Sequence, residues 1–81
     1  MNLYDAKNGE YVISSIEDDG IVKDRLLELG IYKGERVRKI KTAPFGGPVM
    51  VVVKGVTYAL RKITSKRLIV ELYESERRKQ D

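Results

Sequence analysis

A chain of 81 residues with neither cysteine nor histidine is confined to a narrow range of chemistry. A domain this short hides only about 60% of its unfolded surface, so its core is small; it has no disulfide framework, no thiolate nucleophile and no Cys-ligated zinc, and it lacks both the commonest general base and the commonest transition-metal ligand. The net charge of +4 conceals a polarity: residues 1–35 carry four Lys/Arg against eight Asp/Glu (net −4), residues 36–73 carry nine against one (net +8), and residues 74–81 are neutral.

The basic second half points to nucleic acid or an acidic partner. A solvated sheet face with Lys and Arg turned outward is the simpler reading, because no aromatics interleave with the cations as base-stacking platforms require. The longest apolar stretch, Val49 to Val53, is far too short to span a bilayer. Residues Met1 to Gly9 lack the basic and apolar regions of a signal peptide. The expectation is a soluble, cytoplasmic protein with no direct membrane insertion.

In chain order, Asn8-Gly9 is a turn signal, and Glu10 to Ile16 reads as a short strand. Asp18-Asp19-Gly20 breaks it. Val22, Leu26 and Leu29 then recur at i, i+4 and i+7, with Leu27 widening the stripe, which predicts a helix of about ten residues. Asp18 or Asp19 is positioned to cap its start, and Gly30 to end it in a left-handed conformation. After a turn at Lys33-Gly34, Arg36 to Lys41 is a strand leading to Ala43-Pro44. Pro48 opens the next strand, through Lys54. Gly55-Val56 fits a two-residue hairpin loop, Thr57 to Lys62 returns, Thr64 to Arg67 turns, and Leu68 to Tyr73 closes. The remainder is polar and is expected to fray. Five short strands and one short helix leave room for little except a small, strongly bent all-β barrel.

The segment "PFGGP" (44–48) is not a phosphate loop, because its glycines lead into a proline and a strand rather than into Gly-Lys-Ser/Thr and a helix. Its simplest role is a tight connection, with glycines permitting positive φ and prolines setting entry and exit. Phe45 at its tip either tucks into the barrel end or serves as a contact residue, since loops on a rigid barrel are where small modules bind. Enzyme chemistry finds no footing. Glu17, Asp18 and Asp19 at a helix start read as capping and dipole partners rather than metal ligands, and a dedicated transition-metal site lacks both imidazole and thiolate donors.

The order "RLLELGIYKGERV" (25–37), "APFGGPVMVVVKG" (43–55) and "YALRK" (58–62) resembles the FeoA family of bacterial ferrous iron uptake, a module also appended to iron-dependent repressors. The resemblance covers Leu3 to Val70. It implies an SH3-like barrel and a role in binding the membrane GTPase transporter FeoB; the residues themselves lead us to expect no enzymatic activity, no cofactor and no dedicated metal ligand. Phe45, Gly46, Gly47 and Arg61 are the partner-binding candidates. A nucleic-acid-binding barrel and a free-standing metal-responsive repressor-type domain are the alternatives. Two departures stand out: the family usually has an apolar residue where this chain has Lys39, which must then snorkel or face a cavity, and it tends to be polar where this chain has Met50, Val52 and Ile69.

With Gly55-Val56 as the loop, Val52 faces Ala59, Met50 faces Arg61, and Val49, Val51 and Val53 turn inward with Leu60 and Tyr58. Ile40, Met50, Val52, Ala59 and Ile69 then form an apolar outer face with Arg38 and Arg61 at its rim. Such a surface is expected to be covered by a second copy of the chain or by the transporter.

Overall fold

A computed structural model describes residues 1–18 and 20–74. It contains β1 (Gly9–Ile16), α1 (Ile21–Glu28), β2 (Arg36–Thr42), β3 (Val49–Val53), β4 (Val56–Leu60), α2 (Lys62–Arg67) and β5 (Leu68–Leu72). The strands form one antiparallel sheet in the order β4-β3-β2-β1-β5. The N-terminal residues cover the free edge of β5: Asn2 bridges Ile69, the Leu3 N–H donates to the Leu68 carbonyl (2.8 Å), and the Val70 N–H donates to that of Met1 (2.8 Å). An edge paired in this way no longer offers a template for another strand.

Side chains alternate across the sheet, as period-2 patterning requires. In β3, Val49, Val51 and Val53 are buried while Met50 and Val52 are half-buried on the outer face. The core joins these valines to Leu3, Tyr11, Ile13, Leu26, Ile31, Val37, Leu60, Leu68 and Val70. The expected inward phase of β3 is therefore the observed one, although the hairpin that follows it differs from expectation. Val53 pairs with Val56, so the loop is Lys54-Gly55, with φ of 52° and 80°. Positive φ at both central residues makes a type I′ turn, whose twist suits a two-residue hairpin. Relative to the expected pairing, every partner on β4 moves by two: Val52 faces Thr57 and Met50 faces Ala59. A shift of two leaves each side chain on the same face of the sheet.

Helix α1 ends as its sequence predicts. Gly30 has φ of 85°, its N–H donates to the Leu27 carbonyl (3.0 Å), and the Ile31 N–H donates to that of Leu26 (2.8 Å). These are the paired bonds of a Schellman termination, with buried Ile31 making its apolar contact. At the other end, Asp18 Oδ2 accepts from the Lys23 N–H (2.8 Å), and Asp18 Oδ1 receives Arg67 Nη1 (2.7 Å). The acid thus caps α1 and ties it to α2. Asp19, the other capping candidate, and tail residues 75–81 lie outside the described residues. The apolar stripe on α1 is less buried than its periodicity implies. Leu26 is buried and Val22 half-buried, but Leu27 and Leu29 (46% accessible) remain exposed. The segment read as strand end and turn is instead a short helix, α2.

Lys39 neither snorkels nor faces a cavity. It is only 3% accessible, and its ammonium donates to the carbonyls of Leu3 (3.0 Å), Tyr4 (2.7 Å) and Ala6 (2.6 Å). An ammonium has three protons, and here each finds an acceptor. Burial pulls the Lys39 pKa below 10.5, with the Asp5 carboxylate opposing. The side chain ties residues 3–6 to β2, directly after Met1 to Leu3 pair with β5.

Candidate functional site

The end of the barrel at which β2 turns into β3 carries most of the unusual features. Thr42 pairs with Val49, and the Ala43 N–H donates to the Pro48 carbonyl (2.9 Å). This leaves Pro44 to Gly47 as a four-residue turn closed by the Gly47 N–H on the Pro44 carbonyl (3.1 Å). Its central residues, Phe45 and Gly46, have φ of 59° and 72°. Gly46 adopts this region without strain, whereas a bulky aromatic there is a genuine outlier. Gly47 is required for a separate reason, since a Cβ at this position would lie 2.7 Å from Ala43 Cβ and 3.1 Å from the Pro44 oxygen.

Held in that strained conformation, Phe45 is fully exposed, at 103% of its reference area. Of its two expected roles, tucking into the barrel end is excluded; it projects from the hairpin tip. Strained backbone that displays an apolar side chain to water contributes nothing to folding and so points to use elsewhere.

Two clefts flank α2, the first of them beside this tip. The first, of about 540 Å³, is lined by Gly46, Gly47, Pro48, Arg61, Lys62, Ile63 and Lys66. Lys62 and Lys66 place their ammonium groups 5.1 and 5.7 Å from the Tyr4 ring centroid, and that of buried Lys39 is 5.9 Å from the same centroid. A ring quadrupole attracts cations at this range. Among the described residues, no carboxylate pairs with Arg61, Lys62 or Lys66. The second cleft, of about 390 Å³, runs between α1, α2 and the end of β4 and is lined by Val22, Leu26, Leu29, Ala59, Leu60, Ile63 and Thr64 with Arg25, Arg61 and Arg67 around it. Arg61 and Ile63 (55% accessible) belong to both clefts.

The four partner-binding candidates thus converge: Phe45 marks the tip, and Gly46, Gly47 and Arg61 line the cleft next to it. The second set does not converge completely. On the outer face, Arg38, Val52 and Thr57 form one cross-strand row, and Lys41, Met50 and Ala59 the next. Ile40 is the extra residue of a bulge between Lys39 and Lys41 and is exposed (41%). Ile69 lies on β5, separated from β3 by two strands, and pairs with Ser15 and Asn2. It does not join the patch formed by Ile40, Met50, Val52 and Ala59. Arg61, expected opposite Met50 at the rim, lies instead beyond the end of β4.

The sequence reading missed Lys62, Ile63, Lys66 and the α1–α2 groove. The sequence pattern puts Lys62 at a strand end, leaves Ile63 between that strand and the turn, and puts Lys66 in the turn Thr64 to Arg67. The available signal was α1 itself, whose four apolar residues exceed what one short helix can bury against so small a sheet.

Much of the basic half is internally satisfied. Arg36 contacts Glu10 (3.3 Å) and stacks 3.9 Å over the Tyr73 ring. Arg67 meets Asp18, and Lys39 is buried. Lys54 bonds Tyr32 Oη (2.9 Å) and Glu35 (3.2 Å), fastening the β3–β4 turn to the loop before β2. Burial pushes the Glu35 carboxyl up, but hydrogen bonds from Lys54, Tyr32 and the Arg36 N–H outweigh it and bring the pKa below 4.5. The bonds to Tyr32 and Glu35 raise that of Lys54. Among the described residues, no group of three or more acidic side chains is placed to hold a metal ion, and no helix is long and apolar enough to cross a membrane.

Comparison with known proteins places this architecture. A family model described as the FeoA domain matches residues 1–72. The chain is 29% identical over 76 residues to a Fe(2+) transport protein A/Fe(2+) transporter FeoB fusion protein of Porphyromonas gingivalis, spanning 93% of this chain but only 9% of that relative's length. Among solved structures, FeoA of Stenotrophomonas maltophilia complexed with zinc, an SH3 domain protein, is 34% identical with a TM-score of 0.74, covering 88% of this chain and 89% of that one. ScaR with bound Cd²⁺, a metal-dependent repressor, shares the fold at 22% identity with a TM-score of 0.84, covering 90% of this chain and 35% of that one. The five-stranded antiparallel sheet is the SH3-like fold of these relatives, and the chain belongs to the FeoA family, which is linked to ferrous iron transport.

Proposed function

We propose that this protein acts on the cytoplasmic side of ferrous iron uptake by docking on a FeoB-type membrane transporter, including its G-protein domain, and not by enzymatic chemistry. The observation that carries the reading is the Porphyromonas gingivalis fusion, where a segment similar to this chain is joined to FeoB. Covalent linkage keeps two modules at high effective concentration, which is useful when they bind each other. The geometry fits such a role. Phe45 supplies an exposed apolar anchor, Arg61 a guanidinium shared by both clefts, and the α1–α2 groove an apolar trough for a partner segment. Aromatic and Arg residues carry much of the energy at protein interfaces. To alter transport, such a module needs unequal affinity for two transporter states.

The test is a binding titration with purified, detergent-solubilised FeoB-type transporter, with and without guanine nucleotide. Saturable binding that is weakened at least tenfold by Phe45→Ala or Arg61→Ala, at unchanged circular dichroism, supports the reading; tenfold corresponds to about 1.4 kcal/mol, a modest loss for an anchor residue. Absence of binding in every nucleotide state overturns it.

A further inference from the structure

We infer that the basic cleft at the Phe45 tip seats on an anionic lipid surface, with Phe45 entering the headgroup layer and Lys62, Lys66 and Arg61 facing lipid phosphates. Three observations carry this. The first is shape. Phe45 stands out from a hairpin tip with its whole side chain exposed, so it enters a deformable layer without needing a preformed pocket. Exposed aromatics that enter an interface alongside Lys/Arg are the elements of peripheral membrane anchoring.

The second observation is charge. Arg61, Lys62 and Lys66 line one cleft with Gly46 and Gly47, and no carboxylate pairs with them among the described residues. Asp5, next to Tyr4 in the chain, accepts at Oδ2 from Asn2 Nδ2 (3.0 Å), and its own N–H donates to Asn2 Oδ1 (2.9 Å). Two of the three cations are lysines, compact charges that respond to a diffuse field. Bidentate carboxylate recognition in an acidic peptide favours arginine. The surface potential of an anionic leaflet is such a field.

The third is neighbourhood. Ile63 is exposed on α2 between Lys62 and Lys66, adding a second apolar group to the same end. The Lys62 and Lys66 ammonium groups both lie within 6 Å of the Tyr4 ring centroid (5.1 and 5.7 Å), which gathers the two charges at one place on the surface. The remaining exposed lysines at the opposite end do not share this arrangement. Lys54 is paired with Glu35, and Lys33 lies in the adjoining loop.

The inference is independent of the transporter, because the test uses vesicles free of protein. The full chain is sedimented with vesicles of phosphatidylglycerol and phosphatidylcholine and, separately, of phosphatidylcholine alone, at low and high salt. The expected result is retention on anionic vesicles that falls with salt, and little on neutral ones. Lys62→Glu with Lys66→Glu should lower partitioning at least tenfold, because each surface lysine contributes roughly a fivefold factor before reversal is counted. Phe45→Ala should lower it several-fold while preserving the salt dependence. Lys23→Glu with Lys33→Glu changes the net charge equally but should have a much smaller effect, since neither residue lines the cleft. Should the charge reversals disturb folding by circular dichroism, Lys62→Gln with Lys66→Gln serves in their place.

Equal retention on neutral vesicles, no retention on either, or equal losses in the two double variants would overturn the inference. So would capture of a poly-glutamate peptide through Lys62 and Lys66 without vesicle binding, which would give the cleft to an acidic protein segment. Transporter docking is measured in detergent, so either result can fail without the other.

Discussion

Replacing Phe45 with asparagine should make the protein more stable while removing its most exposed apolar group. Phe45 is fully exposed, so truncation forfeits no buried area. Its φ of 59° puts an L-residue in the left-handed region, at a cost of roughly 1–2 kcal/mol. Asparagine tolerates that region through its short polar side chain, and an Asn-Gly pair is the preferred centre of a type I′ turn. The expected gain is about 1 kcal/mol, which in a domain of this size raises Tm by about 4–8 °C. Phe45→Ala keeps the strain and should be nearly neutral. Thermal and urea unfolding followed by circular dichroism are suitable assays, with an unchanged m-value confirming that the folded and unfolded states are otherwise alike. A loss of about 3 kcal/mol or more in Phe45→Ala, typical of a packed phenylalanine, would refute the assignment of Phe45 as a displayed residue. The same variants should weaken transporter binding, which separates display from folding.

Lys39→Met should destabilise the fold by about 3 kcal/mol or more, because the carbonyls of Leu3, Tyr4 and Ala6 lose their shared donor; a urea midpoint close to that of the unaltered chain would contradict this. Glu35→Gln should flatten the acid side of the stability curve. The folded pKa of Glu35 lies below 4.5, so the unfolded state binds more protons between the two values, and the contribution is present above pH 4.5 and is lost as pH falls through the folded value. Urea titrations at stepped pH should show the two proteins converging at the acid end; parallel curves would sink the idea. Val52→Glu places a carboxylate in the cross-strand row of Arg38 and Thr57 on the half-apolar outer face. It should fold normally and, if copies associate through that face, shift sedimentation equilibrium toward the monomer; an unchanged distribution from an associating chain would rule the face out.

Local signals in this sequence were strong where one residue type has one physical solution. Gly30 after Leu26-Leu27 had to end a helix, because the left-handed position there has no Cβ penalty only for glycine, and the two Schellman bonds follow. The inward phase of Val49, Val51 and Val53 was legible too, since Leu60 and Tyr58 admit only one apolar face. The same alternation left the turn ambiguous. Moving the loop between Gly55-Val56 and Lys54-Gly55 shifts partners by two and changes no face, so hydrophobic pattern alone could not choose; the backbone twist of the type I′ turn did.

Other features were decided only in three dimensions. Lys39 looked like a misplaced charge along its strand, and its acceptors are the carbonyls of Leu3, Tyr4 and Ala6, more than 30 residues away in the chain. Backbone carbonyls are common to every residue, so no sequence pattern marks the ones that converge on an ammonium. Phe45 was a visible candidate, yet whether it packed or projected depended on the closure of the turn around Gly47. Lys62 and Lys66 fell on one cleft because α2 forms where a strand end and turn were expected, and helical spacing of four sets both side chains on one face. Sequence spacing specified the barrel, then, because burial repeats with the period of the backbone; the composition of its exposed end followed from contacts between segments distant in the chain.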